Sequence, residues 1–222
     1  MRVVASRFVP LVPLRGLIAF PHEVYPIFIG RRKSLRAIDA ATDPKLPLAI
    51  NKPILLVAQR DASLAAPSPA DMYEIGTLGV VIECSRLPDG TAKIIVEGRK
   101  RLRVKRFVFD EKFFKAEAEE IAETAGSSAR LETLKRSVLF AFHSYAYGIA
   151  GISPEIVDLV EKIGDPSVLS YKIVRHLDIE TAEQQALLEC VSPVERLEKI
   201  LGYLEVANQT LEAREGTLRK LI

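Results

Sequence analysis

The 222-residue sequence contains no tryptophan, two methionines, three histidines and two cysteines. The cysteines, Cys84 and Cys190, lie far apart and in different substructures, so each reads as a buried thiol rather than half of a disulfide. That usage points to the cytoplasm. His22, His143 and His176 fall in separate elements without HxxxH or HxxE spacing, which argues for core or surface placement over metal ligation. There is no CxxC pair and no GxSxG elbow. The segment Gly30-Arg31-Arg32-Lys33-Ser34 resembles a phosphate loop only superficially: it lacks the first glycine of GxxxxGKS/T, and its Lys-Ser does not follow a glycine. Two readings remain for it, solvated basic residues or an anion held at a helix N-terminus. No apolar run approaches the roughly 18 residues that span a bilayer. The opening Met1 to Arg7 lacks the long apolar stretch of a secretory leader. The sequence thus predicts no catalytic residue, no metal, no cofactor and no membrane association.

What is present is an ordinary globular composition, 48% hydrophobic and 27% charged, in a chain long enough to bury a core. The net charge of +2 does not demand a nucleic-acid partner, but it is unevenly spread. Residues 1–125 carry 20 basic against 15 acidic side chains, and residues 126–222 carry 11 against 14.

The halves differ in periodicity too. Phe8 to Leu14 and Val24 to Ile29 are short apolar runs broken by Pro10, Pro13, Pro21 and Pro26, which suits edge strands or bulges because proline cannot donate to a ladder. Lys33 to Ala41 has helical spacing and stops at Asp43-Pro44. Ile54 to Ala58 reads as a strand buried on both faces. Thr77 to Leu87 and Thr91 to Glu97 flank Pro88-Asp89-Gly90 and predict a hairpin, with Leu78, Val80, Ile82 and Cys84 sharing a face. Arg101 to Phe109 and Phe113 to Ile121 predict a second strand pair. About six strands and one small helix imply a closed or nearly closed sheet.

After Ala125-Gly126-Ser127-Ser128 the period becomes helical, beginning with Leu131, Leu134, Val138, Phe142 and Tyr145. Ser153-Pro154, Asp165-Pro166 and Ser192-Pro193 each place a cap residue before a proline at the first helical position. With Thr181 to Cys190 they predict five helices in all. The expected fold is α+β, a strand subdomain over residues 1–124 and a helical bundle over 125–222.

Three features offer surfaces for binding. Along Arg99 to Arg106, alternation places Arg101, Arg103 and Lys105 on one face, opposite Leu102 and Val104. With Arg99, these make either a basic stripe for RNA or the solvated face of a strand. The stretch Leu14 to His22 either leaves Leu17, Ile18 and Phe20 exposed for protein association or uses them to close one end of the sheet. Leu197, Leu201, Leu204, Leu211 and Leu218 form a seam that serves either the bundle core or self-association.

An ordered set of short motifs resembles the N-terminal domain of the Lon protease family. Pro13-Leu14-Arg15, Phe20-Pro21-His22 and Ile27-Phe28-Ile29-Gly30-Arg31 open the set. It continues through Lys33-Ser34, Leu56-Val57-Ala58-Gln59 and Ile75-Gly76-Thr77, and is strongest at Leu87-Pro88-Asp89-Gly90-Thr91. Val96-Glu97-Gly98, Arg101, Ile152-Ser153-Pro154-Glu155, Asp165-Pro166 and Glu195-Arg196-Leu197 complete it.

The resemblance implies a PUA-like β-barrel followed by a helical bundle, and a non-catalytic module that binds unfolded or degron-bearing polypeptides. It also implies a protease or ATPase partner and a part in homo-oligomer assembly. Expected contacts are Leu17, Ile18, Phe20 and Pro21, with Met72 and Tyr73 as a second patch. RNA binding through the basic strand, or an assembly role, are the alternatives. Residues 43–53 are a longer connection than the family pattern has, and residues 207–216 lack its basic run. These departures favour a stand-alone domain protein over a protease fragment.

Overall fold

A computed structural model describes residues 8–42, 53–109, 112–126, 128–148 and 152–219. The expected long connection at 43–53 lies, but for Pro53, outside them. The chain divides into two compact units, Met1–Ile121 and Ala122–Ile222.

The first unit contains β1 (Val9–Leu14), β2 (Val24–Ile29), α1 (Arg32–Thr42), β3 (Pro53–Ala58), β4 (Ile75–Arg86), β5 (Ala92–Phe109) and β6 (Phe114–Glu120). The strands form one mixed sheet in the order β2-β5-β4-β3-β1-β6, and β5 also pairs with β6. The neighbours β5, β4, β3, β1 and β6 therefore close a ring of hydrogen-bonded pairs, with β2 added outside it on β5. β1 and β3 are the parallel pair, Leu11 opposite Leu55 and Pro13 opposite Val57.

Closure depends on β5, which at 18 residues merges two of the strands expected from sequence. Its first part pairs with β2, its last part with β6, and β4 lies alongside from Ala92 to Arg103. Gly98 makes the passage between these parts possible. A Cβ there would stand 2.2 Å from the carbonyl oxygen of Phe20, so only glycine permits the approach. At the β4–β5 hairpin Gly90 has φ +84°, and Asp89 accepts from the Thr91 amide at 2.9 Å and hydroxyl at 2.7 Å.

Because β1 and β3 are apolar throughout, their alternate residues feed two cores. Val12, Leu14, Ile54 and Leu56 join Ile27, Ile38, Ile94 and Val96 in one. Leu11, Leu55 and Val57 join Met72, Leu102, Val104 and Phe114 in the other. The shared face expected for Leu78, Val80, Ile82 and Cys84 does not hold along its length. Register shifts at Leu78/Gly79 and Val81/Glu83 bury Val81 and expose Ile82. Cys84 is exposed, against the expected buried thiol, while Cys190 is buried.

The second unit contains α2 (Ser128–Gly148), α3 (Pro154–Glu161), α4 (Pro166–Val174), α5 (Thr181–Glu189) and α6 (Pro193–Arg219). Asp165 caps α4 by accepting from the Ser167 and Val168 amides at 2.8 and 3.0 Å. α6 continues through Gly216. Leu197 and Leu204 are fully buried with Ile200, while Leu201 and Leu211 are half-buried, so most of the expected seam belongs to the unit's interior.

Arg196 is also buried there. Its guanidinium donates to Ser170 Oγ at 2.8 Å, Tyr171 OH at 2.9 Å, the Cys190 carbonyl at 2.9 Å and Glu123 Oε1 at 2.5 Å. It thereby ties α4, the α5–α6 connection and the segment before α2 to α6. No helix of the described residues is long and apolar enough to cross a membrane.

Candidate functional site

Of the side chains expected to contact a polypeptide, four are interior. Phe20 is 1% exposed, and Ile18, Pro21 and Met72 are likewise buried. The expectation of an exposed patch at Leu17 to Pro21 is corrected on this point, and the cause is visible in the hydrogen bonds. Thr77 Oγ1 donates to the Ala19 carbonyl at 2.5 Å, Tyr25 OH accepts from the Phe20 amide at 2.9 Å, and the His22 amide donates to the Gly98 carbonyl at 2.9 Å. The segment closes one end of the sheet. Met72 is core, and half-buried Tyr73 packs on the same cluster under the Arg60 guanidinium, 4.6 Å from its ring centre. Leu17 is half-buried and lines a surface cleft.

The basic strand is also rearranged from the simple alternation. Arg101 is 4% exposed, whereas Arg103 and Lys105 are exposed. A register shift between Val104 and Arg106 turns Arg106 outward after Lys105 and leaves Phe107 packed inward, away from any stacking role. Four of the exposed cations face carboxylates. Arg99 pairs with Glu97 at 2.6 Å, Lys100 with Glu120 at 2.8 Å, Lys105 with Glu119 at 2.6 Å and Arg106 with Glu117 at 3.3 Å. The hydrogen bond to Glu119 raises the Lys105 pKa above its ordinary value. Three of these carboxylates come from β6, so the stripe is a zipper of ion pairs.

In the first unit exposed apolar surface lies chiefly on the outer face of β2, β5 and β4, while the second unit exposes Phe140, Tyr147, Leu159 and Val206. β2 alternates exposed and buried, with Val24, Pro26 and Phe28 outward. Phe28 is 69% exposed and Val24 43%. Across the register Val24 meets Glu97, Pro26 meets Ile95 and Phe28 meets Lys93. In β4, Val80 adjoins Glu97, and Ile82, 53% exposed, sits at the register shift beside Ile95. Phe28, Val24 and Ile82 were not among the residues expected from sequence. The signal was there: Val24 to Ile29 is apolar on both faces, and an edge strand has only one core to cover.

At the end of β2 this face reaches a cleft of about 300 Å³, lined by Phe28, Leu17, Arg15, Arg31 and neighbouring residues. Arg31 donates to Gln59 Oε1 at 2.6 Å and to the Leu64 carbonyl at 3.0 Å, and Arg15 reaches the same carbonyl at 2.9 Å. Burial, and then the neighbouring Arg15 charge, lower the Arg31 pKa. Among the described residues no group of three or more His, Cys, Asp or Glu is arranged to hold a metal ion.

An α+β domain with an apolar sheet face running into a cationic cleft belongs to the class of binding domains. The comparisons make that class specific: the family model described as the ATP-dependent protease La (LON) substrate-binding domain matches residues 9–206, and the chain belongs to this family. The Lon protease of Azospirillum brasilense is 39% identical over 196 residues, which is 88% of this chain and 24% of that protein. Lon protease 1 of Myxococcus xanthus is 42% identical over 207 residues, 93% of this chain and 25% of that protein. The chain thus spans about a quarter of the length of the curated relatives it matches. The solved N-terminal domain of the Mycobacterium avium complex Lon protease matches the fold with a TM-score of 0.69 at 21% identity, covering 90% of this chain and 98% of that one. A Lon N-terminal domain protein from Xanthomonas campestris matches at 0.56 and 15%, covering 88% and 98%.

Proposed function

We propose that the domain is a non-catalytic module that holds unfolded or degron-bearing polypeptides through the outer face of β2, β5 and β4. The observation that carries this is the exposed row of Val24, Pro26 and Phe28 along β2, with Ile82 exposed two strands away on β4 of the same sheet. Exposed apolar patches on a folded domain mark association sites, and an unfolded client is what brings unburied apolar side chains to such a face. An edge strand such as β2 also offers main-chain groups to an extended peptide, although Pro26 contributes no donor. In this reading the ring of strand pairs is a PUA-like β-barrel, the module works in the cytoplasm, and a protease or ATPase consumes what it binds.

RNA binding by the basic strand is less favoured, because Arg99, Lys100, Lys105 and Arg106 of β5 are engaged by carboxylates. The test is binding of the purified chain to a fluorescent unfolded protein, to the folded form of that protein, and to RNA. Preference for the unfolded chain, lost in Phe28→Asp, supports the reading. Binding to RNA alone overturns it.

A further inference from the structure

The cleft at the end of the apolar face has a chemistry of its own. Three donors converge on one neutral acceptor there: Arg15 Nη2 at 2.9 Å, Arg31 Nη2 at 3.0 Å and Gln59 Nε2 at 3.1 Å all reach the Leu64 carbonyl oxygen. A carbonyl oxygen has two lone pairs, and two of these donors are cations. Among the described residues no carboxylate lies within ion-pair distance of either guanidinium. That sets them apart from Arg99, Lys100, Lys105 and Arg106 of β5. The Arg31 pKa is lowered by burial first and then by repulsion from the Arg15 charge. An arriving carboxylate relieves that repulsion and supplies the anionic acceptor that paired guanidiniums favour. Phe28 belongs both to the apolar row and to the cleft wall, so a chain lying along β2 leads directly into it.

We propose that Arg15 and Arg31 form a carboxylate subsite that selects extended client segments in which an Asp or Glu side chain follows apolar residues. The inference rests on the polypeptide-binding reading and adds a substrate preference to it. A side-chain carboxylate is chosen over a chain terminus because a face open along β2 takes internal segments, and unfolded proteins present many of those for each terminus.

The test uses the full chain and a set of fluorescent peptides. One is an apolar extended peptide with a single Glu and an amidated C-terminus; the second is its Gln counterpart; the third is the Gln peptide with a free C-terminal carboxylate. At low salt the Glu peptide should bind about tenfold more tightly than the amidated Gln peptide, the scale of a charge-assisted hydrogen bond. In Arg15→Gln and in Arg31→Gln the ratio of Glu-peptide to Gln-peptide affinity, measured within each variant, should fall to about one. Arg15 is exposed, so its replacement leaves the fold intact, and thermal melts check Arg31→Gln.

Equal binding of the Glu and Gln peptides overturns the subsite and leaves the polypeptide-binding reading standing. So does a gap that survives both substitutions. A gain that follows the free C-terminus rather than Glu overturns the side-chain assignment. Failure of all three peptides to bind removes both readings together.

Discussion

The two ends of strand β5 carry outer faces of opposite character. Along Ala92 to Glu97 its outward neighbours are Val24, Pro26 and Phe28 of β2, and apolar area stands in solvent. Along Lys100 to Arg106, Lys100, Lys105 and Arg106 meet Glu120, Glu119 and Glu117 of β6. The charged end satisfies itself within the chain, since each exposed pair exchanges solvation for a partner at little net gain. At the apolar end Phe28 and Val24 are 69% and 43% exposed. A charge-rich sequence segment is therefore a poor guide to uncompensated charge, whereas a strand apolar on both sides at a sheet edge leaves apolar area in solvent.

The strongest way to test the contrast is to compare the two phenylalanines on either side of the β2 region. Phe20 lies inside, with its amide bonded to Tyr25. Phe20→Asp removes a buried aromatic, at about 3–5 kcal/mol, and leaves a carboxylate where no water reaches. Total stabilities of about 5–15 kcal/mol do not absorb this. Loss of the cooperative thermal transition in circular dichroism is expected; a melt like that of the wild type contradicts the burial.

A charge held inside the helical unit gives the next effect. Arg196 is fully buried among Ser170, Tyr171, Cys190 and Glu123, unlike the surface cations of β5. Arg196→Ala leaves those acceptors without their donor, and a loss of about 3 kcal/mol or more is expected in denaturant unfolding. Arg196→Met, which fills the space, should cost less than Arg196→Ala. If the two are equal, the lost hydrogen bonds rather than packing carry the contribution.

These cases also show what the sequence made legible. Element types followed from local signals: proline after a cap residue at Pro154, Pro166 and Pro193, and the Asp89-Gly90 turn with its positive φ. The six strands and the change to helices after Gly126 were readable for the same reason. The merging of two strands into β5 was not, because it depends on Gly98 meeting the Phe20 carbonyl from 78 residues away. Exposure failed similarly. Whether Phe20 or Phe28 faces water depends on Thr77, Tyr25 and Gly98 drawing in one segment, and short-range periodicity carries no such term. The basic strand was readable as a charge pattern, but its neutralisation needed the register with β6.

Smaller still is the effect expected at Phe28. Its side chain is mostly in water, so Phe28→Asp should change stability by about 0.5 kcal/mol or less. Affinity for an unfolded client should fall about tenfold, as for a peripheral aromatic contact. Ile82→Asp, on the same face, should act in the same direction. Unchanged client affinity with an unchanged fold would move the binding face elsewhere and leave the apolar end of β5 without a role.

The least effect belongs to the charged end. Lys105 is exposed and its ammonium is held by Glu119, which raises its pKa above the ordinary lysine value of 10.5. A group whose pKa rises on folding contributes stability that is complete below its unfolded pKa and disappears as pH climbs through the folded value. At pH 7 that contribution is fully present but screened by solvent, so Lys105→Gln should lower the melting temperature only slightly. Wild type should lose its slight advantage only above pH 10.5. RNA affinity should also be unaltered at pH 7, because the cation removed was already paired. A marked fall in RNA binding, steep in salt, would show that β6 does not neutralise the stripe, and the two ends of β5 would then both be binding faces.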